Sequence, residues 1–285
     1  MKYSNKIVFS STLILIISIS ITSIFQYENI EKNMQKQIDV GVNNILNSIE
    51  LQVMAFFKEK KMFAQFITNQ INQSPTIETL TSVSGDPGVI ASFDFVGGAF
   101  DSDGVPISGN HWNTAPEWDA RKRPWYKLAK SAKTLVTTEP YLDASTNEMI
   151  ISFSSPISKN NSFLGSVFFD VSLKDLAELV NAVDIYGAGN VFVATKQGVI
   201  IAHHNKNYNG QLVNQLYPSL DYSERNDSSI IIDNVEHLVS IRPMDGIDYI
   251  LISDLNNSLA YHSIGNIKYI TIISVFFAAI SSGII

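Results

Sequence analysis

Residues 121–130 read RKRPWYKLAK. Arginines, a proline and two adjacent aromatics lead into a run with helical spacing, and proline suits a first helical turn because its ring presets φ and the N–H it lacks would have no helical partner. The stretch lies between HWNTAPEWDA (111–120) and TTEPYLDAST (137–146). Two apolar segments of strand character follow, EMIISFSSPI (148–157) and SFLGSVFFDVSL (162–173), separated by the polar turn SKNN. Upstream, SFDFVGGAF (92–100) runs into DSDGV, where Asp and Gly supply turn chemistry. SLKDLAELVNAV then predicts a helix with Ser172 as its N-cap. The loop of arginines and aromatics therefore belongs to an antiparallel α+β unit.

A second unit of the same kind follows, with a junction expected near 184–189. NVFVATKQGVIIAHH (190–204) reads as strand, turn and strand, and SSIIID, HLVSIRPM and YILISDL predict three more short strands. Ahead of both units, residues 26–73 contain no proline and a single glycine. Apolar residues recur there at Ile38, Val42, Ile45, Ile49, Val53, Phe56, Phe63 and Ile67, a spacing of threes and fours that predicts one long amphipathic helix. Its stripe is equally suited to a domain core and to a dimer seam.

Outside these units lie two apolar runs. IVFSSTLILIISISITSIF (7–25) carries no charge and is long enough to cross a bilayer, whereas the apolar region of a cleaved signal is usually about 7–15 residues. YITIISVFFAAISSGII begins at Tyr269 and reads as the start of a second span. Lys2 and Lys6 place the N-terminus in the cytoplasm and the segment between the spans outside it. The chain lacks cysteine, so no disulfide holds it, and a domain of this size buries a sufficient core without one. A net charge of −7 argues against nucleic acid. The expected organisation is a cytoplasmic end (1–6), a first span (7–25), a stalk helix (26–75), a membrane-distal module (76–184), a membrane-proximal module (185–266) and the start of a second span (267–285).

The first module concentrates Trp118, Arg123, Trp125, Tyr126, Tyr141, Asp143 and Asp170. A guanidinium is a planar fork of donors that fits a carboxylate or sulfonate, indole N–H groups add donors, and aspartate and tyrosine oxygens hold an ammonium. A free amino acid, or a related small zwitterion, carries both features. Taken singly these residues prove little, since an arginine beside an aromatic is commonly a surface stacking pair and an aspartate at a strand end commonly caps a turn.

DARKRPWYKLA, TTEPYLDASTNEMIISFSSPI and GSVFFDVSL, in that order, resemble the distal half of a double Cache (dCache_1) domain, the extracytoplasmic sensor of bacterial methyl-accepting chemotaxis receptors. The pattern is most similar to the amino-acid-binding subgroup, whose signature is Tyr, Arg-x-Trp-Tyr and a later Asp. The resemblance implies an α+β fold with a long N-terminal stalk helix and two PAS-like antiparallel modules in series, flanked by two transmembrane helices. It assigns Arg123 and Trp125 to a ligand carboxylate, Tyr126 and Asp170 to its ammonium, and further contacts to Tyr141 and Asp143. Trp118 stands where the subgroup has Tyr, which brings taurine into consideration beside L-amino acids. For Arg121 the expected role is structural, and for the proximal module no ligand of its own. The resemblance further implies a homodimer in the bacterial inner membrane with a periplasmic sensor, and a cytoplasmic signalling module lying outside this chain.

Two other readings compete with this one. The same sensor serves histidine kinases and diguanylate cyclases. A membrane-anchored enzyme would need catalytic groups, for which Asp143 and Asp170 are the candidate pair, yet no G-x-S-x-G, HExxH or P-loop occurs between the spans. No cofactor is expected. His203 and His204 are poor metal ligands, because neighbours on a strand point to opposite faces.

Overall fold

A computed structural model describes residues 3–109, 114, 117–146, 148–183, 185, 187–218, 220–261, 269, 270, 272, 273 and 276. Helix α1 (Tyr3–Gln73) is continuous for 71 residues, roughly 105 Å at 1.5 Å per residue. Its N-terminal part is apolar and long enough to cross a membrane, and its large side chains there, such as Phe9 and Phe25, are exposed. Further along, Val42, Leu46, Ile49, Val53, Phe57, Ala64, Ile67 and Ile71 are buried. The buried face thus lies slightly round the helix from the predicted stripe, whose Ile38, Ile45, Phe56 and Phe63 are only partly covered.

Helices α2 (Ile77–Ser84) and α3 (Pro87–Ile90) follow, neither of them predicted. Their signals are present nonetheless: Thr76 accepts from the N–H of Thr79, and Asp86 caps α3 ahead of Pro87 at its first turn. Because α3 consumes the residues just upstream, the strand expected from 92 starts later, as β1 (Phe95–Phe100).

The first sheet contains β1, β2 (Val136–Thr137), β3 (Tyr141–Leu142), β4 (Met149–Lys159) and β5 (Ser162–Ser172) in the order β1-β5-β4-β2, with β3 also beside β4. Asn160 and Asn161, with φ of 50° and 63°, form the tight turn between β4 and β5, as Asn-rich two-residue hairpin turns do. Between β1 and β2 lie a 3-10 turn (Ala120–Lys122) and α4 (Pro124–Ser131). Helix α5 (Leu173–Asn181) leaves β5 with the N–H of Lys174 donating to the Ser172 hydroxyl, as expected.

The second sheet contains β6 (Gly189–Thr195), β7 (Ile200–Ala202), β8 (Asn226–Ile232), β9 (Val235–Pro243) and β10 (Tyr249–Asn256), ordered β7-β6-β10-β9-β8. Short helices α6 (Val213–Leu216) and α7 (Asn257–Ala260) accompany it. Within the expected junction, Asp184 and Tyr186 lie outside the described residues, and Ile185 bridges to Gly189 where β6 begins. Most of the second apolar run also lies outside them; residues 269, 270, 272, 273 and 276 are helical.

Side chains alternate along a strand. Val167, Phe169 and Val171 of β5 face α1 in the same core as Leu251 and Leu255 of β10, while Phe168, Asp170 and Ser172 face away from it. The second sheet meets α1 nearer its apolar end: the buried Arg242 donates to Asn43 at 2.8 Å and Asp227 at 2.9 Å, Arg225 pairs with Glu50 at 2.9 Å, and Tyr261 donates to Asp39 at 2.7 Å. The first sheet meets it later, where Asn72 accepts from the N–H of Ser158 and Lys60 donates to the carbonyl of Ser92.

Candidate ligand-binding site

The outer face of the first sheet carries a cavity of about 430 Å³. Arg123 and Trp125 at the start of α4, residues 143–146 and 148, and Asp94 and Phe95 border it. Asp119 caps the 3-10 turn and grips Arg121, whose Nε and Nη2 both donate to its carboxylate at 2.9 Å. Ala120 N–H donates to the carbonyl of Gly104, where φ is +71° and a Cβ would lie 2.3 Å from Asp119 Oδ1. Arg121 therefore closes the loop, which is the structural role expected of it, and leaves Arg123 at the N-cap of α4 facing the cavity.

Arg123 stands over the Tyr141 ring, 5.8 Å from its centroid, and donates weakly to the carbonyl of Leu142 at 3.4 Å. It forms no ion pair among the described residues. The Tyr141 hydroxyl lies 2.5 Å from Ser152 Oγ and donates to Asp170 Oδ1 at 3.5 Å. Ser152, opposite Asp170 in the β4–β5 register, donates to the same carboxyl oxygen. Asp170 is 4% exposed. Burial pushes its carboxyl well above the usual carboxylate range, Asp143 and Asp94 push the same way, and the hydroxyls of Ser152 and Tyr141 oppose them. Burial, and then the charge of Asp170, raise the Tyr141 phenol too, so it stays protonated. An uncommitted guanidinium and a buried acid thus face one cavity across a single phenol ring.

Trp125, 2% exposed, lines the same cavity and packs on Phe168 at 4.3 Å between ring centroids. Its carbonyl accepts from Ser154 Oγ at 2.9 Å, which pins α4 to the sheet.

Of the seven expected residues, the structure brings Arg123, Trp125, Tyr141, Asp143 and Asp170 to this cavity, and two are placed elsewhere. Tyr126 is buried beyond it, with its hydroxyl donating to Asp101 at 3.0 Å and Asp101 also held by Lys130 at 2.8 Å. Trp118 packs into the small aromatic cluster around Ala120 and Phe168. Asp143 reaches the rim but is already engaged: Oδ2 accepts from the N–H groups of Ser145 and Thr146 and from the Thr146 hydroxyl. It is a loop cap, the ordinary fate of an aspartate at a strand end. Residues not singled out beforehand also contribute: Asp94 and Phe95 within SFDFVGGAF, Glu148, Ile150, Phe168 and Ser172 line the cavity. Ser152 could have been found from the alternation of β4, which places it beside Asp170.

His203 and His204 differ from expectation. Strand β7 ends at Ala202, so the alternation that would separate them is lost and their rings lie 4.3 Å apart. His203 is buried, its Nδ1 accepts from the N–H of Asn205, and burial lowers its pKa to about 4. Among the described residues no cluster of three or more His, Cys, Asp or Glu is disposed to hold a metal.

Residues 28–264 match the dCache_1 Cache-domain model, and the chain belongs to this family of double Cache sensors. Curated relatives include the methyl-accepting chemotaxis proteins PctB of Pseudomonas aeruginosa (24% identical over 228 residues, 76% of this chain and 34% of PctB) and McpB of Bacillus subtilis (26% over 213 residues, 71% and 31%). The chain spans about a third of the length of these two relatives. Among solved structures, the ligand-binding domain of Mlp24 with asparagine superposes with a TM-score of 0.72 at 30% identity, covering 82% of this chain and 98% of that one. The PctB domain from Pseudomonas aeruginosa with L-Gln shares the fold at a TM-score of 0.69 and 21% identity, covering 77% and 91%.

Proposed function

We propose that the chain is the sensing part of a transmembrane chemotaxis receptor and that its first-sheet cavity binds free L-amino acids or related small zwitterions, taurine among them. The observation that carries this reading is the pairing, in one cavity, of the unpaired Arg123 guanidinium with the buried Asp170 carboxyl, separated by Tyr141. Arg123 takes the ligand carboxylate or sulfonate, aided by the Trp125 indole. Asp170 takes the ammonium, and the arriving cation draws its proton away. Solved neighbours with asparagine or L-Gln bound support the choice of ligand class. One Asp143 oxygen is held by its own loop, as in a loop cap, which supports a binding site rather than a catalytic carboxylate pair.

The remaining parts follow from that reading. Residues 76–184 form the membrane-distal module, 185–266 the proximal one, and spans at 7–25 and from 267 hold the sensor on the periplasmic side of the inner membrane. Leu51, Met62 and Phe66 are exposed on α1 and offer the seam for a homodimer. Ligand binding shifts the balance of two dimer states through its differential affinity for them. The signal continues to a cytoplasmic module that controls chemotaxis; a kinase or diguanylate cyclase output is the alternative.

Thermal unfolding of the detergent-solubilised chain against amino acids, taurine and simple carboxylates tests the site, since a ligand of the folded state raises Tm. Arg123→Ala or Asp170→Ala removes one partner of a desolvated charge contact, worth roughly 2–5 kcal/mol, and weakens binding about 30-fold to several thousand-fold. Shifts with simple carboxylates alone, or zwitterion shifts that survive Asp170→Ala, would overturn the assignment.

A further inference from the structure

We infer that this cavity selects among amino acids by side-chain charge, favouring diamino acids and rejecting dicarboxylic ones, with Glu148 as the specificity-determining residue. The inference rests on the zwitterion reading of the same site. Arg123 is the one cationic side chain among the described lining residues, against four carboxyl groups, Asp94, Asp143, Asp170 and Glu148. A zwitterion uses Arg123 for its carboxylate and Asp170 for its ammonium, and no lining cation remains. A second ligand carboxylate would therefore enter unpaired beside like charges, which costs several-fold more than a missing contact.

The three carboxyl groups left over are not equivalent. Asp143 Oδ2 is engaged by three donors of its loop, and Asp94 Oδ2 accepts from the N–H of Ser172 at 2.7 Å. The Glu148 carboxylate makes no hydrogen bond or ion pair among the described residues. Its backbone is tied to the rim: its carbonyl accepts from the N–H of Asp143 at 2.9 Å, and β4 begins at the next residue. A flexible ligand ammonium rising from the cavity meets an exposed carboxylate with no partner among the described residues. Asp94, on the opposite side of Ser172, adds to the same negative field.

Calorimetric titration of the detergent-solubilised chain with L-ornithine, L-arginine, L-glutamine and L-glutamate tests this. Expected are binding of the first three and affinity for L-glutamate at least about 30-fold below that for L-glutamine. Glu148→Gln should reduce the L-ornithine to L-glutamine affinity ratio about threefold, the scale of an exposed ion pair. Asp94→Asn, which keeps an acceptor for Ser172, should reduce the ratio further. L-Glutamate binding as well as L-glutamine, or a ratio unchanged in both variants, would overturn charge selection and leave the zwitterion site standing. Failure of all four ligands would overturn the zwitterion reading together with this inference.

Discussion

Asp170 on β5 and Asp254 on β10 occupy corresponding points of the two sheets: each lies two residues before a helix N-cap, Ser172 or Asn256, on the strand flanked by β1 and β4 or by β6 and β9. Their surroundings differ in the partners each acid has, a difference that the proposed binding role of the first sheet requires. In the second sheet, His237 Nδ1 lies 2.5 Å from Asp254 Oδ1 and Tyr217 donates to Oδ2 at 2.7 Å. His237 pairs with Asn256 in the register, the position that Ile150 holds opposite Ser172 in the first sheet. There the apolar Ile150 leaves a cavity, and among the described residues the Asp170 carboxyl has only hydroxyl partners. The second sheet supplies an imidazole partner for its own acid, whereas in the first sheet the corresponding place opens on the cavity. The surrounding apolar packing agrees, because Phe192, Ile252 and Tyr217 fill the second face and leave its acid a polar tip on a packed core.

The sharpest test of this contrast is Asp170→Asn. Binding of a zwitterion should fall about 30-fold or more, as for removal of either charge partner. The ligand-free protein should instead gain about 1–3 kcal/mol at neutral pH, because a buried acid without a cation gives way to a neutral isostere that Ser152 can still bond. Chemical denaturation and calorimetry together check both halves. A loss of stability in the ligand-free variant would mean that Asp170 is already compensated, as Asp254 is.

The same acid sets a pH dependence. Its folded-state pKa is raised, so the folded protein holds a proton that the unfolded chain releases. The destabilising contribution is absent below the ordinary aspartate value near 4, grows as pH rises through the interval up to the raised value, and is constant above it. The stability gain of Asp170→Asn should therefore vanish in acid. Zwitterion affinity should run the other way, falling as pH drops through the raised value, because a protonated Asp170 no longer attracts the ammonium. Titrations from about pH 8 to about pH 5 check this, and an affinity flat over that range would remove Asp170 from the ammonium contact.

In the second module the expected effect is smaller and confined to stability. His237→Ile introduces the side chain found at the corresponding first-sheet position and strips Asp254 of its imidazole. Unfolding free energy should drop by about 1 kcal/mol, the scale of a hydrogen bond lost by a partly buried polar group. Adding Asp254→Leu together with Tyr217→Phe should restore much of it, since apolar groups of similar volume then replace the whole polar set, including the Tyr217 hydroxyl that donates to Asp254. Zwitterion affinity at the first cavity should stay within about twofold. A larger change would mean that the two modules share energy through α1, whose Asn43 and Glu50 contact the second sheet and whose Asn72 contacts the first.

Period and punctuation made most of the fold legible in the sequence. The stalk helix follows from threes and fours, the long strands from alternation, and α5 from Ser172. Helices α2 and α3 were overlooked although Asp86-Pro87 marks one of them, and the two-residue strands β2 and β3 exist only because β4 offers an edge to pair with. The site was legible at Arg123, Trp125, Tyr141 and Asp170, whose chemistry matches their placement. Tyr126 lies outside the cavity lining with its hydroxyl on Asp101, and Asp143 reaches the lining with one carboxylate oxygen held by residues 145–146, neither of which residue type alone could show. Side-chain type states what a group can bind, and only the fold states what already binds it.

Lys127 provides the smallest expected effect and the cleanest control on the largest. It carries the same charge as Arg123 and sits one helical turn further along α4, where it is exposed and absent from the cavity lining. If the positive charge of 121–130 acted only as a diffuse field drawing anions in, Lys127→Ala would weaken binding by a factor like that of Arg123→Ala, and added salt would reduce both effects alike. A guanidinium held at the N-cap of α4 over Tyr141 predicts otherwise. Lys127→Ala should change affinity by less than about twofold, as exposed charges do, while Arg123→Ala retains its large effect in high salt. Equal and salt-sensitive losses would replace the clamp with simple electrostatic attraction and would make the first module no more specific for a zwitterion than the second.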